Sequence, residues 1–329
     1  MTTLTMPPAA TEAASVRRTN PLGLSWRDMG TLIGLVLIFS VFAALSPTFL
    51  TSQNLVNLLQ QSSINACIAV GMTLVIISGG IDLSVGPVAA LSAVVSATLL
   101  ANGAPAWAGV AVGLGVGVAC GTLNGMLVAY GGLQPFIVTL GTLSIFRALA
   151  LIYTGGNPVF SIPPEFREWF ASSPLLLPMP VLIVSVVGLL AWLLLRKAPL
   201  GEYIYAVGGN EEAARLAGVP IERTKIAAYA ISGGLASLAA LVVVARLGAA
   251  EPILGNLWEL EAIAAAAIGG ASLLGGKGGI VGTLLGAIIL GAMRNGLTLM
   301  NVQAFYQLLA TGVVILLAML VDRLTRGRG

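Results

Sequence analysis

Apolar residues in this chain come in long runs, and the polar residues collect in short gaps between them. A helix needs about 20 consecutive apolar residues to cross the hydrocarbon core of a bilayer. Runs of that kind predict helices near 29–46, 58–78, 84–101, 107–129, 135–153, 176–195, 224–245, 260–275, 280–295 and 304–321. The eighth and ninth are short and broken by glycine. The pattern predicts an all-α integral membrane protein of about ten transmembrane helices. Residues 28–323 make the membrane domain. The polar stretch 1–27, rich in Ala, Thr and Pro, reads as a disordered tail, and 324–329 as a second short tail.

Positive charge tests the count independently, because Lys and Arg are enriched in cytoplasmic loops. With ten helices and both termini inside, the inner segments hold Arg17, Arg18, Arg27, Arg196, Lys197, Arg215, Arg223, Lys225, Lys277, Arg323, Arg326 and Arg328. The outer segments hold only Arg167 and Arg246, while Arg147 and Arg294 fall within or at the end of spans. A missed or extra helix before residue 196 would reverse that bias. The charged segment 196–223 is therefore expected in the cytoplasm. The first apolar run follows a basic stretch, as a signal peptide would, but the many later spans favour an uncleaved helix.

Composition closes other classes. Of 329 residues 57% are hydrophobic and 9% charged, and there is no histidine. His-based triads, proton shuttles and His metal sites are excluded together. No GxxxxGK[ST] stretch occurs, so the chain lacks a phosphate loop of its own. Cys67 and Cys120 lie in apolar segments without metal-like spacing and read as inert thiols. The net charge of +3 is the inside bias again, and no basic stripe points to nucleic acid. No catalysis and no cofactor are expected of this chain.

Glycine, at 41 residues, falls at three- and four-residue spacing in "GVAVGLGVGVACGTLNG" and "GGLASLAALVVVARLG", which lets membrane helices approach closely. There is also an internal echo. "SGGIDLSVGPVAAL" (78–91) resembles "IGGASLLGGKGGIVGTLLGA" (268–287), and "GTLNG" (121–125) returns as "GTLLG" (282–286). An offset of five helices would invert the second copy in the membrane, an arrangement known from transporters.

Asp82 is the only acidic residue between Asp28 and Glu165. Two readings stand for it. Asp82 or Ser84 caps the third helix at the cytoplasmic surface, or Asp82 is an ion or substrate site.

"GGNEEAARLAGVPIERTK" (208–225) carries six charges in eighteen positions. Asn210 is a good N-cap, and Glu211 and Glu212 set negative charge in the first turn, where the helix dipole favours it. Arg215 lies four residues after Glu211, Gly218 ends the helix and Pro220 prevents its return. Ala213, Ala214, Leu216 and Ala217 are expected to form a small apolar face. Two turns of helix are unstable alone in water, so this one packs on its own protein or docks on a soluble partner.

These motifs, with "GGLQPFIVTLGTLSIFRALALIYTGGNPV" and "ELEAIAAAAIGGASLLGGKGGIVGTLLGAIILGAMRNGL", resemble the membrane permeases of bacterial ABC sugar importers, of the ribose, xylose and arabinose type. The resemblance runs from about residue 30 to 322. One departure is Glu261, where the family often has Asp. The resemblance implies a multi-pass permease of the bacterial inner membrane working as a homodimer. An ABC ATP-binding subunit would sit beneath it and a periplasmic sugar-binding protein would deliver substrate from above. The 210–218 helix would be the coupling helix, seated on the ATPase through Asn210, Glu211, Glu212, Ala213, Ala214, Arg215, Leu216 and Gly218.

A neutral sugar needs hydrogen-bonding groups along its path. The spans offer Asn65, Ser92, Asn124, Thr139, Thr142, Ser144 and Asn295, with Asp82 and Phe136 as further pathway candidates. The outer segments 154–180 and 246–261, the latter with Glu251, Glu259 and Glu261, are candidate contacts for a binding protein. Trp169 and Trp258 equally suit a membrane interface. Branched-chain amino acids or nucleosides remain alternative substrates. A cation-coupled secondary transporter using Asp82 is the other class, though it has no need of a capped docking helix. A channel is disfavoured, since no repeated filter sequence or ring of like charge occurs.

Overall fold

The computed structural model describes residues 26–173 and 177–326. The expected tails lie almost wholly outside these. Trp26 and Arg27 already belong to the first helix, and 324–326 to the last. Thirteen helices are described: α1 (Trp26–Leu45), α2 (Ser52–Ile77), α3 (Val85–Ala101), α4 (Ala106–Ala129), α5 (Pro135–Thr154), α6 (Pro164–Ala171), α7 (Met179–Lys197), α8 (Pro199–Gly209), α9 (Glu211–Leu216), α10 (Ile221–Leu247), α11 (Trp258–Ile268), α12 (Ile280–Leu299) and α13 (Ala304–Arg326). Among the described residues the only β pairing is an isolated bridge between Val159 and Ala250.

Six of these helices, α2, α4, α5, α7, α10 and α12, are long and apolar enough to cross a membrane. Shorter apolar helical stretches lie at Gly30–Leu45, Val85–Ala101 and Ala304–Leu317. The expected helix at 260–275 stops at Ile268, because Gly269 and Gly270 follow and Gly270 takes a left-handed φ of +85°. Sequence punctuation sets other ends. Pro135, Pro164 and Pro199 open α5, α6 and α8, where a missing N–H costs nothing, and left-handed Gly155 and Gly248 close α5 and α10.

The core is built around α2, which packs on α7, α8, α10, α11 and α12 and is buried continuously from Ala66 to Ile77. The broadest helix pair is α4 with α10. Gly117, Gly121 and Gly125 recur every four residues along one face of α4, and a Cβ on any of them would overlap Ser237, Tyr229 or Ile226 of α10. Backbone therefore lies on backbone, the contact that gives dispersion without help from water.

Helix order pairs α2–α5 with α10–α13, and the packing is reciprocal under that pairing. α4 lies on α10 as α12 lies on α2; α3 lies on α10 as α11 lies on α2. α3 meets α4 and α5 as α11 meets α12 and α13. The echo of 121–125 in 282–286 falls on the paired helices α4 and α12. The other echo does not. The counterpart of the 78–84 break is 248–257, and 269–279 lies one helix later. The two glycine-rich breaks are neighbours instead: the Gly276 N–H donates to the Ile77 carbonyl at 2.8 Å.

Gly121→Val should disrupt the α4–α10 contact, at a cost of about 1–3 kcal/mol for overpacking. Gly115→Val, on the same helix with nothing within 4 Å of its Cβ position, should not. Thermal unfolding in detergent compares the two. Equal stability of both variants would remove the glycine face as the basis of this packing.

Candidate functional site: a seated surface helix above a buried polar knot

The α9 helix follows the local rules closely. Asn210 adopts extended backbone and its Oδ1 accepts from the Ala213 N–H at 2.9 Å. At the other end Gly218 is left-handed at φ +80°, and the Val219 N–H returns to the Ala214 carbonyl at 3.0 Å. Glu211 accepts from Arg215 at 3.3 Å and from Lys225 at 2.7 Å, and Arg215 also reaches Glu222 at 3.0 Å. Glu222, and after it Glu211, hold the Arg215 guanidinium above its ordinary pKa. These bonds tie α9 to the first turn of α10, although exposed pairs contribute little each.

The expected alanine face is divided. Ala214 is buried against Val207 of α8 and Ile221 of α10, with Ala206 and Val219 beside it. Ala213, Leu216 and Ala217 point outward, and Leu216 is 86% exposed. One side of α9 is thus seated on its own protein. The other side offers an apolar side chain flanked by Glu212 and Arg215.

Beneath α9 lies a joint made of backbone. Gly208 of α8 packs so closely on the Ile77 carbonyl that a Cβ would overlap it, and the same Cβ would come within 2.7 Å of the Gly276 nitrogen. Tyr205 adds a hydrogen bond from its hydroxyl to the Gly278 carbonyl at 2.8 Å. α8 therefore rests at once on the end of α2 and on the 269–279 segment. A cavity of about 150 Å³ adjoins the joint, lined by Gly79, Gly80, Glu211, Lys225 and Tyr229 among others.

Further in, Asp82 is buried with 1% exposure. Its Oδ1 accepts from the Ser84 N–H at 3.0 Å and the Ser84 hydroxyl at 2.7 Å, and its Oδ2 from the Ser232 hydroxyl at 3.1 Å. Asn124 donates to Ser84 at 2.7 Å, while Thr139 and Tyr229 donate to the Ile81 carbonyl at 3.1 and 3.3 Å. Asp82, Asn124 and Thr139 are thus brought together, in one knot joining the 78–84 break to α4, α5 and α10. The expected cap is not formed: Ser84 stands at the start of α3 without a side-chain capping bond, and Asp82 holds the Ser84 N–H in the turn before the helix, inside the packing and not at a surface.

The remaining pathway candidates are dispersed. Asn65 donates to Glu261, which also pairs with Arg294. Asn295 and Asn54 exchange two hydrogen bonds of 2.9 Å. Ser92 bonds the Gly113 carbonyl at 2.7 Å, Thr142 is buried within α5, and Phe136 and Ser144 are exposed on α5. Of the three glutamates expected on the outer side, Glu259 and Glu261 are buried and only Glu251 is exposed. The sequence reading gave Arg147 and Arg294 no task. Arg147 donates to the Pro252 and Leu254 carbonyls at 2.8 and 2.9 Å. An arginine inside an apolar span was the available signal.

An all-helical chain with six helices long and apolar enough to cross a membrane has the make-up of a multi-pass membrane protein. The branched-chain amino acid transport system / permease component family matches residues 54–319, and the chain belongs to it. It is 48% identical over 299 residues to the ribose import permease protein RbsC of Escherichia coli (strain K12), covering 90% of this chain and 93% of that one. Identity to the D-allose transport system permease protein AlsC of the same organism is 42% over 313 residues, covering 94% and 96%. The ribose import permease protein RbsC of Bacillus subtilis (strain 168) is 42% identical over 299 residues, covering 90% and 93%. No solved structure matches.

Asp82→Asn should keep the knot, since an amide oxygen still accepts from Ser84 and the amide nitrogen can donate to Ser232. Asp82→Ala leaves three buried donors unpaired, each costing about 1–3 kcal/mol, and should lower the melting temperature sharply. A well-folded Asp82→Asn protein without uptake would instead favour an ion site. At the joint, Gly208→Ala should reduce uptake about tenfold or more, as a cost near 1.4 kcal/mol would. Gly209→Ala, with nothing within 4 Å of its Cβ position, is the matched control and should transport normally.

Proposed function

We propose that this chain is the transmembrane subunit of an ATP-driven ABC importer that brings a monosaccharide into the cytoplasm. The relatives' names support the sugar, and the seated helix α9 carries the coupling role. α9 is rigidly capped, fixed on its inner side through Ala214, and presents Leu216 outward. A soluble ATPase can grip such a feature; lipid cannot. The chain itself has no phosphate loop, so hydrolysis belongs to the partner.

In this reading α9, both termini and Lys277 are cytoplasmic, as the distribution of Lys and Arg supports. The ten apolar segments cross the membrane or dip into it, and α2–α5 and α10–α13 are inverted copies, supported by their reciprocal packing. Two copies of the permease form the pathway, and a periplasmic binding protein delivers the sugar. Closure of the ATPase pair pushes α9. The Gly208 joint passes that push to α2 and to the 269–279 segment, and so to the knot around Asp82. Partner motion becomes alternating access without covalent chemistry here. A second substrate class, branched-chain amino acids, has one observation in its favour, the description of the matching family. The secondary transporter is less well supported, since Asp82 already accepts three hydrogen bonds from its own protein.

The test uses two faces of α9. Leu216→Glu should leave the permease folded but reduce co-purification of the ATPase and abolish uptake. Ala214→Trp should do the same by unseating α9 from Val207 and Ile221. If Leu216→Glu holds the ATPase and transports at the wild-type rate, α9 is only a surface turn and the coupling role is wrong.

A further inference from the structure

The 248–257 break, between α10 and α11, is held out of its relaxed shape. Leu257 takes a left-handed φ of +66°, which a bulky side chain adopts only where its surroundings impose it. Two supports do so. Arg147 of α5 donates through Nη1 to the Pro252 and Leu254 carbonyls at 2.8 and 2.9 Å. Gly255 lies so close on Gly86 of α3 that a Cβ on either would overlap the backbone of the other.

Glu259 follows this strained turn and is buried, with 9% exposure. Its Oε2 is shut from solvent, and among the described residues it has no hydrogen-bond partner. It lies beside Gly86, where a Cβ would come within 2.9 Å of it. Glu261, by contrast, has partners of its own in Asn65 and Arg294. Arg147 is the cation whose charge reaches Glu259, yet among the described residues no ion pair joins them. The hydrogen bonds found for Arg147 are the two from Nη1, so Nε and Nη2 are not engaged among the described residues.

A buried carboxylate oxygen without a donor is costly, and a guanidinium is the group best suited to remove that cost. Here the guanidinium is engaged on the carbonyls of the preceding turn. One side chain thus faces two alternative partners, and the bonds it makes are those that keep Leu257 strained. We infer that Glu259 is a positioning residue for alternating access, the partner that Arg147 takes in the other conformation of the permease. The inference rests on the importer reading above and adds a switch at the opposite end of α10 from α9. When the guanidinium moves to Oε2, the Pro252 and Leu254 carbonyls lose their donor and Leu257 is free to return to negative φ. Neither arrangement satisfies every group, so the balance is one that a partner's motion can tip.

The test uses the permease–ATPase complex in nanodiscs, with Ile253→Cys as a reporter of the break. Ile253 is 60% exposed, while Cys67 and Cys120 are buried, so a water-soluble maleimide reads the introduced thiol. Labelling is timed without nucleotide and with ATP plus vanadate. Uptake of radiolabelled aldopentoses and aldohexoses is measured in cells whose own copy of the gene is deleted. With Glu259 intact, nucleotide should change the labelling rate about fivefold or more. Glu259→Gln should leave the nucleotide-free rate and the melting temperature unchanged, because Oε2 makes no bond in this conformation. It should confine the response to nucleotide within about twofold and cut uptake about tenfold or more. Glu259→Asp, which keeps the charge, should restore part of both. Arg147→Met should lower the melting temperature, and adding Glu259→Gln to it should reduce uptake no further. A Glu259→Gln protein with uptake and nucleotide response within about twofold of wild type overturns the inference. A lowered melting temperature with an unaltered nucleotide response also overturns it, in favour of a packing role. So does a labelling rate at 253 that nucleotide leaves unchanged while the complex imports sugar. Absence of uptake of every sugar by the wild type is a different failure, that of the importer reading itself.

Discussion

A helix broken where protein or lipid shuts out water must satisfy its freed backbone groups from within, and much of this structure follows from that constraint. Each break in the apolar helices frees carbonyl groups that must find donors within the protein. At 78–84, the Ile81 carbonyl takes the hydroxyls of Thr139 and Tyr229. At 248–257, Arg147 holds the Pro252 and Leu254 carbonyls. Around 269–279, Thr31 donates to Ile268 and Tyr205 to Gly278. The last carbonyl of α2, at Ile77, is met by the backbone of Gly276. Of the side chains that resemble a solute pathway in the sequence, Thr139 caps a carbonyl of such a break, and Asp82 and Asn124 hold the turn that follows it.

That economy also makes the breaks the natural places for movement. Each is held by a few directed bonds over a short segment, whereas the α4–α10 interface is repeated along two long helices. Switching in transporters uses such discrete, locally held elements, because a close-packed core does not deform continuously. The short α9 helix, unable to persist alone, gains its rigidity from Ala214 and its cap.

The sequence disclosed what depends on local chemistry. The apolar runs, the Asn210 cap and the glycine stop at 218 can each be read from a few neighbouring residues. The split of the alanine face could not be read this way, because nothing local says that Val207 and Ile221 come together beneath Ala214. The same holds for Glu259 and Glu261. Their charge in an outer segment suggested a surface, whereas packing buries both and gives Glu261 the partners Asn65 and Arg294, which are remote in sequence. Asp82 was legible as the start of a helix but not as a hub, since Asn124 and Ser232 reach its cluster from other helices. α8 escaped notice because its glycines read as loop, and their meaning lies in the backbone of Ile77 and Gly276.

The four cations outside the inner bias sharpen the argument, because a translocated or buried arginine is retained only against a cost. Arg147 offsets it by satisfying two carbonyls of a break. Arg294 does so by pairing Glu261, a carboxylate that would be costly to bury alone. Both are accounted for inside the fold. Arg167 spends one N–H on Ala245, and for Arg246 no ion pair is found among the described residues. The structure thus separates cations bonded within the fold from Arg167 and Arg246, which line one cavity beside the C-terminal end of α10.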